Sequence, residues 1–271
     1  MPELPEVETT RRTIAPYLVG KTIKSILVRN AGLRWPVPEQ LATILPGQRI
    51  DRVDRRGKYL LVRCDNGTLI LHLGMSGCLS VVPAATPAGT HDHLDIIVED
   101  SLSLRFNDPR RFGTALWTDG DPLRHPLLAK LGPEPLEEEF DSEYIFKKSR
   151  NRKVAVKQFI MDSHIVVGVG NIYANEALYR AGIRPERPAG GLSASDCRRL
   201  VTAISEVLQA AIAEGGTTIR DFRVGEKQTG YFAVQLKVYD RAGAPCPACG
   251  TPIAMHRQGG RSTYFCSRCQ S

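Results

Sequence analysis

Four cysteines near the C-terminus limit this chain more than any other feature: Cys246-x-x-Cys249, a spacer of sixteen residues, then Cys266-x-x-Cys269. Two such knuckles at that separation suit one zinc ion held by four thiolates. With every coordination position taken by protein, the ion has no open site for substrate, so its role is structural. A redox cysteine pair is the competing reading, but it has no use for the second knuckle. Thiolates and ion together carry a net charge of about −2. From Arg241 onward there are four arginines and no acids, so the module stays positive. Between the knuckles, HRQGGRSTYF reads as a β-hairpin turning at Gly259-Gly260, with Arg261 beside the tip. Zinc would hold that arginine rigidly, where it can meet a phosphate.

The other cysteines make no framework. Seven is an odd count, and Cys64, Cys78 and Cys197 stand alone, which suits buried structural thiols. The opening MPELPEVETT lacks the basic, apolar and small-residue zones of a signal peptide. No apolar run approaches the ~20 residues that span a bilayer. A cytosolic protein with reduced thiols is expected. The chain has 271 residues, room for one large or two modest domains. Lys plus Arg number 36 against 29 Asp plus Glu, a net +7 whose placement matters more than its size.

That placement is uneven. The acidic PEPLEEEFDSE at 133–143 is followed by KKSRNRKVAVK, which puts Lys147, Lys148, Arg150, Arg152, Lys153 and Lys157 within eleven residues and no acid among them. The reversal of sign marks a domain boundary, although a basic run by itself is usually a solvated face. Before it, a helix over 3–18 gives way to short β-rich runs, among them KTIKSILVR, KYLLVR, TLILHLG, LDIIVED and ALW. Asn66-Gly67 supplies a hairpin signal. An antiparallel sandwich or barrel-like domain is expected there. After it, helices are expected at 153–161, 172–182 and 194–214, the last starting with a Ser193/Asp196 capping box and stopping at Gly215-Gly216. Residues 215–230 read as a mobile loop and YFAVQLKVY as strand-like text. The resulting division is 1–132, a linker 133–146, a helical domain 147–236 and the four-cysteine module 237–271.

The N-terminus offers its own chemistry. Methionine removal is favoured before proline and would expose Pro2 as a secondary amine, and α-amino groups titrate near ~8, below lysine. Attack by a secondary amine on an aldehyde-level sugar carbon gives a permanently cationic iminium, because no N–H remains to lose. That cation is an electron sink for elimination. Glu3 beside it could protonate a sugar ring oxygen. Many chains begin Met-Pro and acids favour helix starts, so these residues alone leave the bland reading open.

Nine blocks narrow the choice. They are MPELPEVET, the RRGKYLL around Lys58, HLGMSG at 72–77, HDH at 91–93, NDPRRFG at 107–113, GVGNIYANEALY at 168–179, GGTT at 215–218, GYF at 230–232 and the cysteine module. Their identity and order over nearly the whole chain resemble formamidopyrimidine-DNA glycosylase. The resemblance implies an α+β multidomain fold: an N-terminal antiparallel β-sandwich with an N-terminal helix, a helical domain with a helix–two-turn–helix motif, and a C-terminal zinc-finger β-hairpin. It implies a bacterial enzyme of base-excision repair that is both glycosylase and abasic-site lyase. Such an enzyme acts as a monomer on duplex DNA containing oxidised purines, with one structural zinc ion and no membrane partner.

Residue roles follow from the same resemblance. Pro2 is the Schiff-base nucleophile, Glu3 the general acid, Lys58 the aid to β-elimination, and Arg261 the phosphate contact assigned to δ-elimination. Met75, Arg110 and Phe112 match the trio that fills the space left by an everted nucleotide, an apolar wedge with an arginine for the orphaned cytosine. Without that context Met75 and Phe112 read as core. His72 and His91 match DNA-contacting positions, though isolated histidines are more often structural. Arg152 stands where the family often has lysine, and it keeps a phosphate contact with altered geometry. Lys157 matches a position near the damaged base or its phosphate. Asn171 would hold a phosphate at a helix start, or be an ordinary N-cap. The loop 219–229 departs from the family's commoner asparagine- or glycine-rich forms. Two rivals are an endonuclease VIII-like enzyme for oxidised pyrimidines, against which MPELPE and the Met75/Arg110/Phe112 trio argue, and a non-catalytic zinc protein that recognises lesions.

Overall fold

The structure, a computed structural model, describes residues 2–215 and 236–271 and the backbone of two short strands between them. Met1, all but the first residue of GGTT, GYF, the expected loop and most of YFAVQLKVY lie outside the described residues. The chain forms two compact units, one built on residues up to Ala129, the other on Lys130–Glu214 and the C-terminal residues.

The first unit opens with helix α1 (Leu4–Leu18), which has Pro5 in its first turn and Glu3 at its N-cap. Strands β1 (Ile23–Val28), β2 (Ile50–Arg56), β3 (Tyr59–Cys64), β4 (Gly67–His72), β5 (Cys78–Pro83), β6 (Asp92–Val98), β7 (Leu102–Asn107) and β8 (Thr114–Thr118) follow, with one-turn helix α2 (Leu41–Ile44) after β1. They make two sheets. One is ordered β2-β3-β4-β8; the other runs β1-β6-β7-β5 and is extended by the short strands Arg223–Val224 and Lys227–Gln228. Every pair is antiparallel except β5 with Arg223–Val224. Leu60, Val62, Leu69 and Leu71 of one sheet share a core with Leu79, Val81, Leu94, Ile96, Leu104 and Phe106 of the other and with Val7, Ile14 and Leu18 of α1. This is the sandwich that alternating apolar text implies.

The β3–β4 hairpin corrects a detail. Its register pairs Cys64 with Gly67, so the two turn residues are Asp65 and Asn66, and Gly67 already lies in the strand. A Cβ at Gly67 would stand 2.5 Å from the Trp117 ring, so the glycine serves close approach rather than the turn. Cys64 and Cys197 are buried as expected, but Cys78 is only half-buried, since it falls on the outward alternate of β5.

The second unit holds helices α3 (Ser142–Ser149), α4 (Val156–Met161), α5 (Asn171–Ala181) and α6 (Ala194–Ala213). Their core includes Ile145, Phe159, Tyr173, Leu178, Leu200, Ile204 and Leu208. The Ser193/Asp196 capping box is present on α6. Helix α3 begins inside the stretch read as linker, capped by the Asp141 carboxylate, which accepts the Tyr144 N–H at 2.7 Å. Its acid in the first turn and lysines in the last fit the helix dipole, so the change of sign at 143–147 runs along one helix. Helix α4 starts three residues later than expected. Arg152 and Val154 carbonyls accept N–H bonds from Gly190 and Ala189, which ties this segment to 187–190 in extended form. Residues 236–239 are not strand. Among the described residues no helix is long and apolar enough to cross a membrane.

The C-terminal strands, Ala254–Gln258 and Arg261–Phe265, pair as a two-stranded sheet with Gln258 opposite Arg261. Gly259 and Gly260 form the expected turn, both at positive φ (+55° and +76°), the conformation that a tight two-residue hairpin demands.

Candidate active site

Glu3 is 1% exposed and caps α1 in a reciprocal capping box with Glu6, whose Oε2 accepts the Glu3 N–H at 2.9 Å. Pro2, one residue upstream, is half-buried. The chain's path into this corner is braced by Glu8. Its carboxylate accepts from Arg11 Nη2 at 2.8 Å, Arg12 Nε at 2.7 Å and, on β2, Arg55 Nε at 3.2 Å. Burial alone would raise the Glu8 pKa, but hydrogen bonds from Arg11 and Arg12 and the charges of Arg11 and Arg55 hold it down at about 2. Glu8 therefore stays ionised and locks α1 to the β2 edge that leads into Gly57 and Lys58.

Lys58 occupies the β2–β3 turn, after Gly57 at φ +56°. Its charge is felt by His72 at the end of β4. His72 lies tilted on Tyr59, ring centroids 4.6 Å apart, and its Nδ1 accepts the Gly74 N–H at 2.9 Å. Burial, with Lys58 and Arg34 adding to it, pushes the His72 pKa down to about 4. At neutral pH the ring is uncharged and carries its proton on Nε2, so it can offer a partner a hydrogen bond but not an ion pair. An unfolded histidine takes its proton near 6.5 and folded His72 only near 4. The stabilisation this gives is complete above pH 6.5 and is lost as pH falls from 6.5 to 4. The loss of unfolding free energy between pH 7 and pH 5, measured by denaturant titration, is expected to be smaller in His72→Gln than in the parent. Equal losses would place the titration elsewhere.

The next group hangs on Asp108, which is fully buried. Its Oδ1 accepts from Ser76 Oγ at 2.6 Å and its Oδ2 from the Gly113 N–H at 2.7 Å. Its own N–H donates to the His91 carbonyl, and its carbonyl meets His93 Nε2 at 2.8 Å. Ser76 Oγ in turn accepts the Arg110 N–H. Ser76, the 91–93 stretch and Gly113 thus converge on one residue. Gly74 is at φ +62°, and a Cβ there would stand 2.4 Å from the Phe112 carbonyl carbon. The two loops are pressed together on a rigid base, from which Met75 and Phe112 project 40% and 41% exposed. The Arg110 guanidinium lies over the Phe112 ring, 4.8 Å from its centroid. Exposure sets aside the reading of Met75 and Phe112 as core. His91 is exposed on the same unit. Sequence reasoning missed Asp108, Ser76 and His93, although NDP ahead of RRFG is a turn signal.

In the second unit Arg152 and Arg261 are exposed, and Lys157 is 1% exposed. The Lys157 ammonium donates to the Ser262 carbonyl and Thr263 Oγ1, each at 2.8 Å. That geometry engages it with the hairpin, at a position where the resemblance implied a lysine near the damaged base or its phosphate. Asn171 is the first residue of α5, and the N-cap is Gly170. Its Nδ2 donates to the Ser262 carbonyl at 3.1 Å, and its buried Oδ1 has no partner among the described residues. A phosphate at this helix start would be met by backbone N–H groups. Glu176 was also missed: its carboxylate accepts the N–H groups of Lys237, Val238 and Tyr239 at 2.8–2.9 Å, fixing the entry to the cysteine module.

The four sulfurs of Cys246, Cys249, Cys266 and Cys269 lie within 4.8 Å of one another. Tetrahedral zinc with bonds of about 2.3 Å requires sulfurs about 3.8 Å apart. Cys246 and Cys269 are at 3.9 Å, Cys249 and Cys266 at 3.5 Å. The set fits zinc, and Tyr179 Oη, 3.2 Å from Cys246 Sγ, can donate to a ligand thiolate.

Three family models match the chain: the formamidopyrimidine-DNA glycosylase N-terminal domain over residues 1–115, the formamidopyrimidine-DNA glycosylase H2TH domain over 131–223, and a zinc finger found in FPG and IleRS over 243–271. The formamidopyrimidine-DNA glycosylase of Geotalea uraniireducens (strain Rf4) is 62% identical over 270 residues, covering 100% of both chains. The Lactococcus lactis FPG (MutM) complexed with Fapy-dG-containing DNA is similar at TM-score 0.90 and 36% identity, covering 99% of each chain. The L. lactis Fpg complexed with DNA containing an abasic site gives 0.91 and 36%, with the same coverage.

Proposed function

Because this chain belongs to the formamidopyrimidine-DNA glycosylase family, we propose that it excises oxidised purines, 8-oxoguanine opposite cytosine and ring-opened formamidopyrimidines, from duplex DNA and then cuts the strand. Arg152, Arg261, Asn171 and His91 bind the DNA backbone, and the lesion is rotated out of the stack. Met75 and Phe112 take the vacated space while Arg110 answers the orphaned cytosine.

With Met1 removed, the Pro2 nitrogen attacks the sugar anomeric carbon. The C–N bond to the base breaks and its electron pair leaves with the base, which takes up the proton that the Pro2 nitrogen gives up, and Glu3 delivers a proton to the sugar ring oxygen as the ring opens. The adduct is an iminium, whose positive charge acidifies the neighbouring carbon. Loss of that proton, assisted by Lys58, expels the 3′ phosphate, and a second elimination, with Arg261 at the phosphate, expels the 5′ phosphate. Water then hydrolyses the iminium, which frees the Pro2 nitrogen and releases the sugar remnant as an unsaturated dicarbonyl, so the products are that remnant, a free base and a one-nucleotide gap with phosphates at both ends. Zinc, held by Cys246, Cys249, Cys266 and Cys269, supplies no reaction step; it fixes the hairpin behind Arg261.

The observation that carries this reading is the exposure of Met75 and Phe112 on a base built around fully buried Asp108. Large apolar side chains held out in water by so many bonds suit insertion into a base stack better than packing. Borohydride reduction on an 8-oxoguanine:cytosine duplex, followed by mass spectrometry of the N-terminal peptide, is expected to place the sugar on the Pro2 nitrogen. An adduct elsewhere, or none, rejects the nucleophile.

A further inference from the structure

The hairpin that carries Arg261 is a sheet of two strands and pairs with no third among the described residues. Its own hydrogen bonds therefore set its twist and leave its direction open. Direction comes from the helices of the same unit. The Lys157 ammonium, from α4, binds the two residues next after Arg261 in the strand, Ser262 through its carbonyl and Thr263 through its hydroxyl. Asn171 Nδ2 converges on that Ser262 carbonyl, and Asn175 Oδ1 accepts the Tyr264 N–H at 2.8 Å. At the tip, Gly259 packs so closely on Gln158 that a Cβ would lie 2.4 Å from its Nε2.

Thr263 is 0% exposed and Lys157 1% exposed. Taking an ammonium out of water is costly unless oxygen acceptors replace the lost hydration, and here two of them do so at 2.8 Å. Those acceptors belong to the hairpin, so the charge is committed to its back while Arg261 faces solvent. An ammonium also has three donors on a flexible stem, which suits simultaneous bonds to a carbonyl and a hydroxyl.

We propose that Lys157 acts on DNA through Arg261, as a positioning residue that fixes the strand behind the hairpin tip and so presents the Arg261 guanidinium to a backbone phosphate in one orientation. The inference rests on the reading above that Arg261 meets phosphate, and its test separates the two. Lys157→Met and Arg261→Ala, singly and together, are compared with the parent for zinc content and for affinity toward duplex DNA carrying a tetrahydrofuran abasic analogue, over a range of salt. Arg261→Ala is expected to weaken binding about tenfold and to lower the salt slope by about one. Lys157→Met is expected to do the same with one zinc retained, and the double variant to be no weaker than Arg261→Ala alone.

If the double variant loses a further tenfold and its slope falls by about two, Lys157 touches DNA with its own charge and the proposal fails. Parent-like affinity in Lys157→Met also overturns it. Should Lys157→Met fail to fold or to hold zinc, Thr263→Val removes one of the two acceptors at nearly constant volume and enters the same cycle. Its loss must then vanish in the Arg261→Ala background, and an additive loss refutes the idea. Parent-like affinity in Arg261→Ala itself would instead reject the phosphate contact on which the inference stands.

Discussion

Glu3→Gln is expected to slow release of 8-oxoguanine by roughly 10²- to 10⁴-fold, the contribution typical of a positioned general acid. The substitution keeps the side chain's size and leaves an amide oxygen to accept at the start of α1, so the cap and the buried setting survive. What it removes is the proton that, in the proposed mechanism, reaches the sugar ring oxygen while the bond to the base breaks. Reaction with preformed abasic DNA starts from an aldehyde and needs no such proton. The borohydride adduct on that substrate should therefore fall far less than base release measured under single turnover. Equal losses on the two substrates would mean that the introduced amide disturbs the position of Pro2, and no loss on either would remove Glu3 from the reaction.

Loss of zinc should be as severe for binding. The buried cluster of the C-terminal module consists of Val238, Cys246, Ile253 and Cys266, so two of its four buried residues are ligands. So small a core cannot fold alone, and structural zinc contributes on the order of 10–16 kcal/mol in comparable modules. Without the ion, the strand bearing Arg261 loses its frame although the helical core of the same unit is built from other residues. Cys249→Ser, or a strong chelator, is expected to lower affinity for lesion DNA by more than about 100-fold, since the hairpin contact and its ordering disappear together. Most of the helical circular dichroism should remain, and chelation should expose four of the seven cysteines to a thiol reagent. Undiminished DNA binding by metal-free protein would contradict the role given to this module.

How far the sequence can be read depends on the range of each interaction. The cysteine spacing, the Gly259-Gly260 turn and the Ser193/Asp196 cap are local, and all three are present in the structure. Local text also misleads: Val154 looks helical, yet its carbonyl is claimed by Ala189 far along the chain. Lys157 belongs to a basic run of the kind that is usually solvated, but the hydroxyl that accepts from it lies 106 residues away. Asp108 and Glu176 are equally illegible. Nothing in an aspartate or glutamate announces that its carboxylate collects N–H and O–H groups from separate segments; only the sheet register and the helix packing bring those donors together.

The convergence on Asp108 has a practical corollary for redesign. Since one carboxylate braces both the Met75 stretch and the Phe112 stretch, the two are mechanically coupled rather than exchangeable parts. Replacing either one in a way that removes Ser76 or Asp108 would take away a bond that holds its neighbour. A library that varies 74–76 and 108–113 jointly, with Asp108 and Ser76 held constant, is the smallest that respects this architecture.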